Sequence, residues 1–141
     1  MSYVFDASFI GALIIPDEKN PHIRKMYNGI QNEDNRYAPH MLWYEMVNIF
    51  QNLVRRKRYT CDRVVQFFPF LDSFNLKVDY GAETGYAQKL LGLCNDYGLS
   101  SYDAAYLELA ERKKATLCTL DEGLRAAAKK HGVRVLQRET G

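Results

Sequence analysis

Four acidic residues carry the chemistry open to this chain: Asp6, Glu45, Asp103 and Asp121. Asp103 is the most informative of them. It lies in the stretch Ser100 to Asp121, which reads as a helix beginning at Ser100 or Ser101 and then a short strand, Ala115 to Leu120, that ends in Asp121. At about 100° per residue, Asp103 shares an arc with Tyr106, Leu107 and Ala110, the apolar side, while Glu108, Glu111 and Arg112 fall on the other side as a solvated face. An unpaired carboxylate among apolar residues is costly, so something compensates it. Two compensations fit: Ser100 as the cap of a Ser-x-x-Asp helix start, or a cation held jointly with other acids.

The remaining three acids carry the same ambiguity. Asp6 ends the β-prone run Tyr3-Val4-Phe5, and with Ser8 it reads either as the cap of the next helix or as a carboxylate at the strand end where parallel α/β sheets place their sites. Glu45 sits among Met41, Leu42, Trp43 and Tyr44 near a helix start and begins a polar stripe with Asn48 and Asn52. Asp121 suits the cap of the following helix. Taken together, two of the acids stand at strand ends and one near a helix start, so all four can meet at one edge of a sheet. Like charges that close repel strongly. Oxygen donors without histidine or thiolate favour Mg²⁺ or Mn²⁺, and a carboxylate-bound pair of such ions suits in-line phosphodiester hydrolysis without a side-chain nucleophile. No Ser-His-Asp or Cys–His arrangement, phosphate-binding loop or dinucleotide fingerprint competes with that chemistry.

The elements that would position these acids alternate along the chain. Strands are expected near 3–6, 76–79, 116–120 and 133–136. Helices are expected over 9–14, 17–30, 40–56, 61–74, 83–97 and 122–131, with 31–36 a polar loop after which Tyr37-Ala38-Pro39 re-enters the fold. This pattern predicts a three-layer α/β fold with a mainly parallel central sheet, a single domain over 1–136, and a polar tail over 137–141. Arg55-Arg56-Lys57-Arg58 closes the 40–56 helix, either as cations complementing a helix C-terminus or as contacts to phosphates or an acidic partner.

Bulk properties narrow the class. A chain of 141 residues with 47% hydrophobic and 26% charged residues is one ordinary globular domain rather than a disordered one. A net charge of +2 gives no compositional argument for nucleic acid. Cys61, Cys94 and Cys118 are odd in number and widely spaced, neither a disulfide framework nor a zinc pattern, and His22, His40 and His131 do not cluster with them. Residues 3–15 are too short to span a bilayer and carry Asp6 and Ser8, so the expectation is a soluble cytoplasmic protein.

Asp6-Ala-Ser8 after a first strand, Glu45 in a helix, Ser101-Tyr102-Asp103-Ala104-Ala105-Tyr106-Leu107 and Thr119-Leu120-Asp121 resemble the PIN-domain ribonucleases over essentially the whole chain. The compact length resembles the toxin half of VapBC-type toxin–antitoxin pairs. The resemblance implies a metal-dependent endoribonuclease acting on tRNA or rRNA. It further implies Asp6, Glu45, Asp103 and Asp121 as Mg²⁺- or Mn²⁺-binding catalytic acids, Ser8 and Thr119 as supporting polar neighbours, a homodimer, and a cognate antitoxin. A housekeeping nuclease in RNA maturation and a non-catalytic protein-binding module are the alternatives.

Overall fold

Strand β1 (Ser2–Phe5) is apolar because it is covered on both faces, with Val4 and Phe5 fully buried. In the computed structural model, which describes residues 1–81 and 83–137, it pairs in parallel with β2 (Asn35–Pro39) on one side and β4 (Thr116–Cys118) on the other. Strand β3 (Lys77–Asp79) adds in parallel to β2, giving a four-stranded sheet of order β3-β2-β1-β4. The chain thus steps outward from β1 through β2 to β3, then returns to the opposite side of β1 for β4. Right-handed crossovers running in opposite directions put their helices on opposite faces of a sheet.

The helices accordingly form two groups. In the first, α1 (Ala7–Ile14), α2 (Pro21–Asn28), α3 (Leu42–Arg55) and α5 (Phe68–Ser73) pack around α1, with α4 (Cys61–Val65) against α3. In the second, α7 (Ser101–Arg112) packs on β1, β2 and β4 between α6 (Tyr86–Tyr97) and α8 (Glu122–His131). The three-layer α/β architecture expected from the sequence is the one observed. An aromatic cluster of Phe5, Phe9, Tyr27 and Phe74 ties the first group to the sheet.

Several elements differ from expectation. The segment 31–36 is not all loop, because β2 begins at Asn35 and lies between β1 and β3. The helix expected over 17–30 begins only at Pro21, capped by Asn20, and Pro16–Glu18 forms a separate 3-10 turn. Residues 61–74 break into α4 and α5 rather than one kinked helix. The run 133–136 touches the sheet through a single bridge, Val135 to Leu117, not as a full strand. Glu108 and Arg112 are not a solvated pair. Glu108 is 2% exposed, and Arg112 donates to it (2.7 and 3.1 Å) and to both oxygens of Asp79 (2.9 and 2.6 Å).

Cys61, Cys94 and Cys118 are free thiols. Among the described residues no helix is long and apolar enough to cross a membrane. Of the expected tail, Gln137 is exposed and residues 138–141 lie outside the described residues.

Candidate functional site

The strand order reverses at β1: its sequence neighbour β2 lies on one side and the distant β4 on the other. The crevice beyond the C-terminal ends of β1 and β4 is therefore a topological switch point, where open α/β sheets bind their ligands. The register pairs Phe5 with Cys118, and the Asp6 N–H donates to the Cys118 carbonyl at 3.1 Å, so Asp6 and Thr119 leave the two strands side by side.

Asp6 is held at this point by three donors. Its Oδ1 accepts from the Phe9 N–H (2.9 Å), which caps α1, and from the Ser8 hydroxyl (2.7 Å), while its Oδ2 accepts from the Thr119 hydroxyl. Each hydroxyl is itself pinned, since Ser8 Oγ accepts from the Leu120 N–H (2.9 Å) and Thr119 Oγ1 from the Asp121 N–H (3.0 Å). A hydroxyl carries one hydrogen, so both are committed to the Asp6 carboxylate. Capping and the site reading of Asp6, alternatives from sequence, coexist in one geometry. Burial dominates the Asp6 carboxyl nevertheless: it pushes the pKa up to about 6 against the three hydrogen bonds, with a further push from Asp103.

Two of the other acids, Glu45 and Asp103, are coupled to this carboxylate by charge, and Asp121 acts on Asp103. Glu45, in the first turn of α3, is half-buried and accepts from the Tyr106 hydroxyl at 2.8 Å. Burial raises its pKa against that hydrogen bond, and the charges of Asp6 and Asp103 raise it further. Asp103, in the first turn of α7, is raised by burial and by Asp121, and its backbone N–H is capped by Ser100 at 3.1 Å. The exposed Asp121 caps α8 through the Leu124 N–H at 2.8 Å. The structure thus joins Asp6, Ser8 and Thr119 by direct hydrogen bonds and links Asp121 to them through its backbone. Glu45 is coupled by charge to Asp6 and Asp103, and Asp103 also to Asp121.

Among the described residues, no lysine, arginine or histidine forms an ion pair with any of the four. Nor do three or more acid, histidine or cysteine side chains there converge closely enough to form a ready-made metal cage. The carboxylates share one electrostatic field without sharing a coordination point, as expected of like charges that nothing positive draws together. Their all-oxygen chemistry and their missing protein counter-charge fit a hard divalent cation of the Mg²⁺ or Mn²⁺ type.

The basic run lies elsewhere. It ends α3, about 15 Å along the helix from Glu45, and Arg58 is paired with Asp17 (3.2 Å) and Glu18 (3.7 Å). The site partner that sequence reasoning missed is Tyr106, placed correctly on the apolar arc but without its bond to Glu45. Its position three residues after Asp103 on the same helix face marks it as a neighbour of that acid but not as a partner of Glu45.

A family model described as PIN domain matches residues 3–130. The chain belongs to the PIN-domain family. Ribonuclease VapC3 of Pyrobaculum aerophilum is 30% identical over 126 residues, covering 88% of this chain and 92% of that protein. Among solved structures, PAE2754 from Pyrobaculum aerophilum is 25% identical, with a TM-score of 0.69 over 92% of this chain and 89% of that one. VapBC2 from Rickettsia felis, bound to a promoter DNA fragment, superposes with a TM-score of 0.67 over 99% of this PIN chain and 100% of its own, at 10% identity, a likeness of fold.

Proposed function

We propose that this PIN protein is a metal-dependent endoribonuclease, the toxin of a VapBC-type toxin–antitoxin pair, with Asp6, Glu45, Asp103 and Asp121 as its Mg²⁺- or Mn²⁺-binding acids. The observation that carries the reading is a series of like-charge couplings at the switch point, Glu45 with Asp6, both with Asp103, and Asp103 with Asp121, without an ion pair to any of them among the described residues, in a chain 30% identical to Ribonuclease VapC3. Likeness of fold to a toxin–antitoxin complex from Klebsiella pneumoniae supports an antitoxin partner. The substrate is a structured RNA of the tRNA or rRNA class, and the active form is a cytoplasmic homodimer.

A divalent ion held by these acids would lower the pKa of an attacking water and stabilise charge on the leaving oxygen. The chain's own residues set the stage for that chemistry. Ser8, Thr119 and the Phe9 N–H fix the orientation of Asp6, so it needs no reorganisation on binding. Asp103 is half-buried and Asp121 exposed, which leaves the outer side of the site open to a phosphodiester. The four acids repel a bare phosphate, so RNA binding at this edge requires their charge to be neutralised first.

Expression of the wild type and Asp103→Asn in a bacterial host tests the proposal, with growth followed and total RNA mapped for new 5′ ends. Growth arrest with discrete cuts from the wild type alone is expected. Equal cutting by both proteins overturns the assignment of Asp103, and absence of cutting by the wild type, in cells and on purified RNA with Mn²⁺, overturns the nuclease reading. Cutting without growth arrest would instead favour RNA maturation.

A further inference from the structure

We propose that Tyr106 is the positioning residue of the acid site: its buried hydroxyl fixes one oxygen of Glu45 so that the other is presented to the cation. The inference rests on the metal-site reading above and adds a residue to it.

Tyr106 is 1% exposed, the largest of the fully buried side chains, and its ring serves the core where α7 packs on β1 and β2. A phenylalanine would serve that packing equally well. The hydroxyl is what a core position does not call for, because burying it costs free energy unless a partner is supplied. Its partner is Glu45 Oε1, 2.8 Å away and 61 residues distant in sequence, so the bond joins α3 to α7, helices of the two opposite groups.

The bond solves a problem that the other acids do not have. Asp6 is short and held by three donors, and Asp121 is fixed as a helix cap. Glu45 has three rotatable bonds and two negative neighbours, Asp6 and Asp103, and left alone its carboxylate would swing toward solvent. The Tyr106 hydroxyl donates to Oε1, while Oε2 has no hydrogen bond among the described residues. Tyr106 also lies one turn beyond Asp103 on the same face of α7, so one rigid helix carries both an acid and the group that orients another. Outer groups of this kind set the orientation of metal-binding side chains and typically change metal affinity about 10–100-fold when removed.

The test uses purified wild type, Tyr106→Phe and Glu45→Gln. Mn²⁺ affinity is measured by calorimetric titration, metal-free Tm is recorded, and the Mg²⁺ midpoint for cleavage of an RNA oligonucleotide is determined. For Tyr106→Phe the expected results are a metal-free Tm within a few degrees of wild type, a Mn²⁺ Kd raised about ten-fold, a matching rise in the Mg²⁺ midpoint, and recovery of most of the rate at saturating metal. An unchanged Kd and midpoint, with or without a drop in Tm, would assign the hydroxyl to stability alone and overturn the proposal. If the wild type binds Mn²⁺ and Glu45→Gln weakens it while Tyr106→Phe does not, only the Tyr106 role fails; if the wild type binds no Mn²⁺, the metal-site reading fails with it. Should Tyr106→Phe not fold, the buried Tyr106 hydroxyl of the wild type is followed by NMR. A shift on adding Mg²⁺ is expected, and a resonance unmoved at saturating Mg²⁺ overturns the proposal.

Discussion

Thr119 donates its hydroxyl hydrogen to Asp6 while accepting the backbone N–H of Asp121. One side chain thus joins the end of β1, the end of β4 and the start of α8. The bond spans 113 residues of sequence and is buried. It fixes the separation of Asp6 from the segment that carries Asp121.

Replacing Thr119 by Val keeps the shape and removes both bonds. Asp6 then lacks its Oδ2 donor and the Asp121 N–H lacks its acceptor, a combined cost of about 1–3 kcal/mol. Thr119→Ser retains both and is expected to lie within about 1 kcal/mol of wild type. Urea unfolding of the three proteins checks this, and a Val variant as stable as the Ser variant would show that the bonds contribute nothing net.

Asp6 itself costs stability when charged. Its carboxyl is raised from 3.8 to about 6 by burial, so between these values the unfolded chain releases a proton that the folded chain keeps. With fewer protons on the unfolded state, the Asp6 contribution falls as pH rises through this window, by about 3 kcal/mol across it. Glu45 and Asp103, also raised, act in the same direction. In EDTA, Asp6→Asn should therefore gain on wild type from pH 4 to pH 7, ending about 1–2 kcal/mol more stable after the cost of a mismatched amide. Melting curves at four pH values decide it. A difference that stays constant with pH would mean that Asp6 titrates normally.

What was legible in the sequence was legible because it is local. Ser100, Asp6 and Asp121 cap helices through bonds reaching three residues ahead, and the arc of Asp103 follows from helix geometry alone. Strand β2 was hidden because Asn35 and Arg36 look like loop. Arg36 is buried only because its guanidinium lies over the Tyr27 ring and donates to the Gln31 carbonyl, contacts that exist once the chain has folded. Glu108 misled for the same reason. A charge opposite an apolar stripe reads as solvated, and the acid that shares its arginine, Asp79, lies 33 residues from Arg112. Tyr106 was placed on the correct side of its helix, but no local pattern announces a bond across 61 residues.

Divalent metal should stabilise the protein and relieve its internal repulsion. With Mn²⁺ at about 100 times its Kd, binding contributes about 2.7 kcal/mol, or roughly 5–10 °C in Tm for a domain of this size. Asp103→Asn should lose most of that rise, while Asp72→Asn, on the exposed side of α5, should keep it. Scanning calorimetry with and without EDTA distinguishes the outcomes. An equal rise in all three proteins would point to metal binding away from the four acids.

Arg112 ties the end of α7 to the end of β3, and its removal strands a buried acid. Glu108 is buried on α7, and Arg112 bonds both its oxygens and both those of Asp79 at the end of β3. Arg112→Ala leaves the buried Glu108 carboxylate without its cation, a loss of about 3 kcal/mol. Arg112 is itself about one-third exposed, so water enters to screen part of that charge and the upper end of the range is not expected. Replacing both partners by apolar residues, Glu108→Leu with Arg112→Met, removes the stranded charge and should recover more than half of the loss. A double variant no better than Arg112→Ala would show that the tie to Asp79, and not the desolvated Glu108, is what the arginine contributes. Asp6 at the switch point carries the same kind of cost, and among the described residues no arginine pairs with it to offset it.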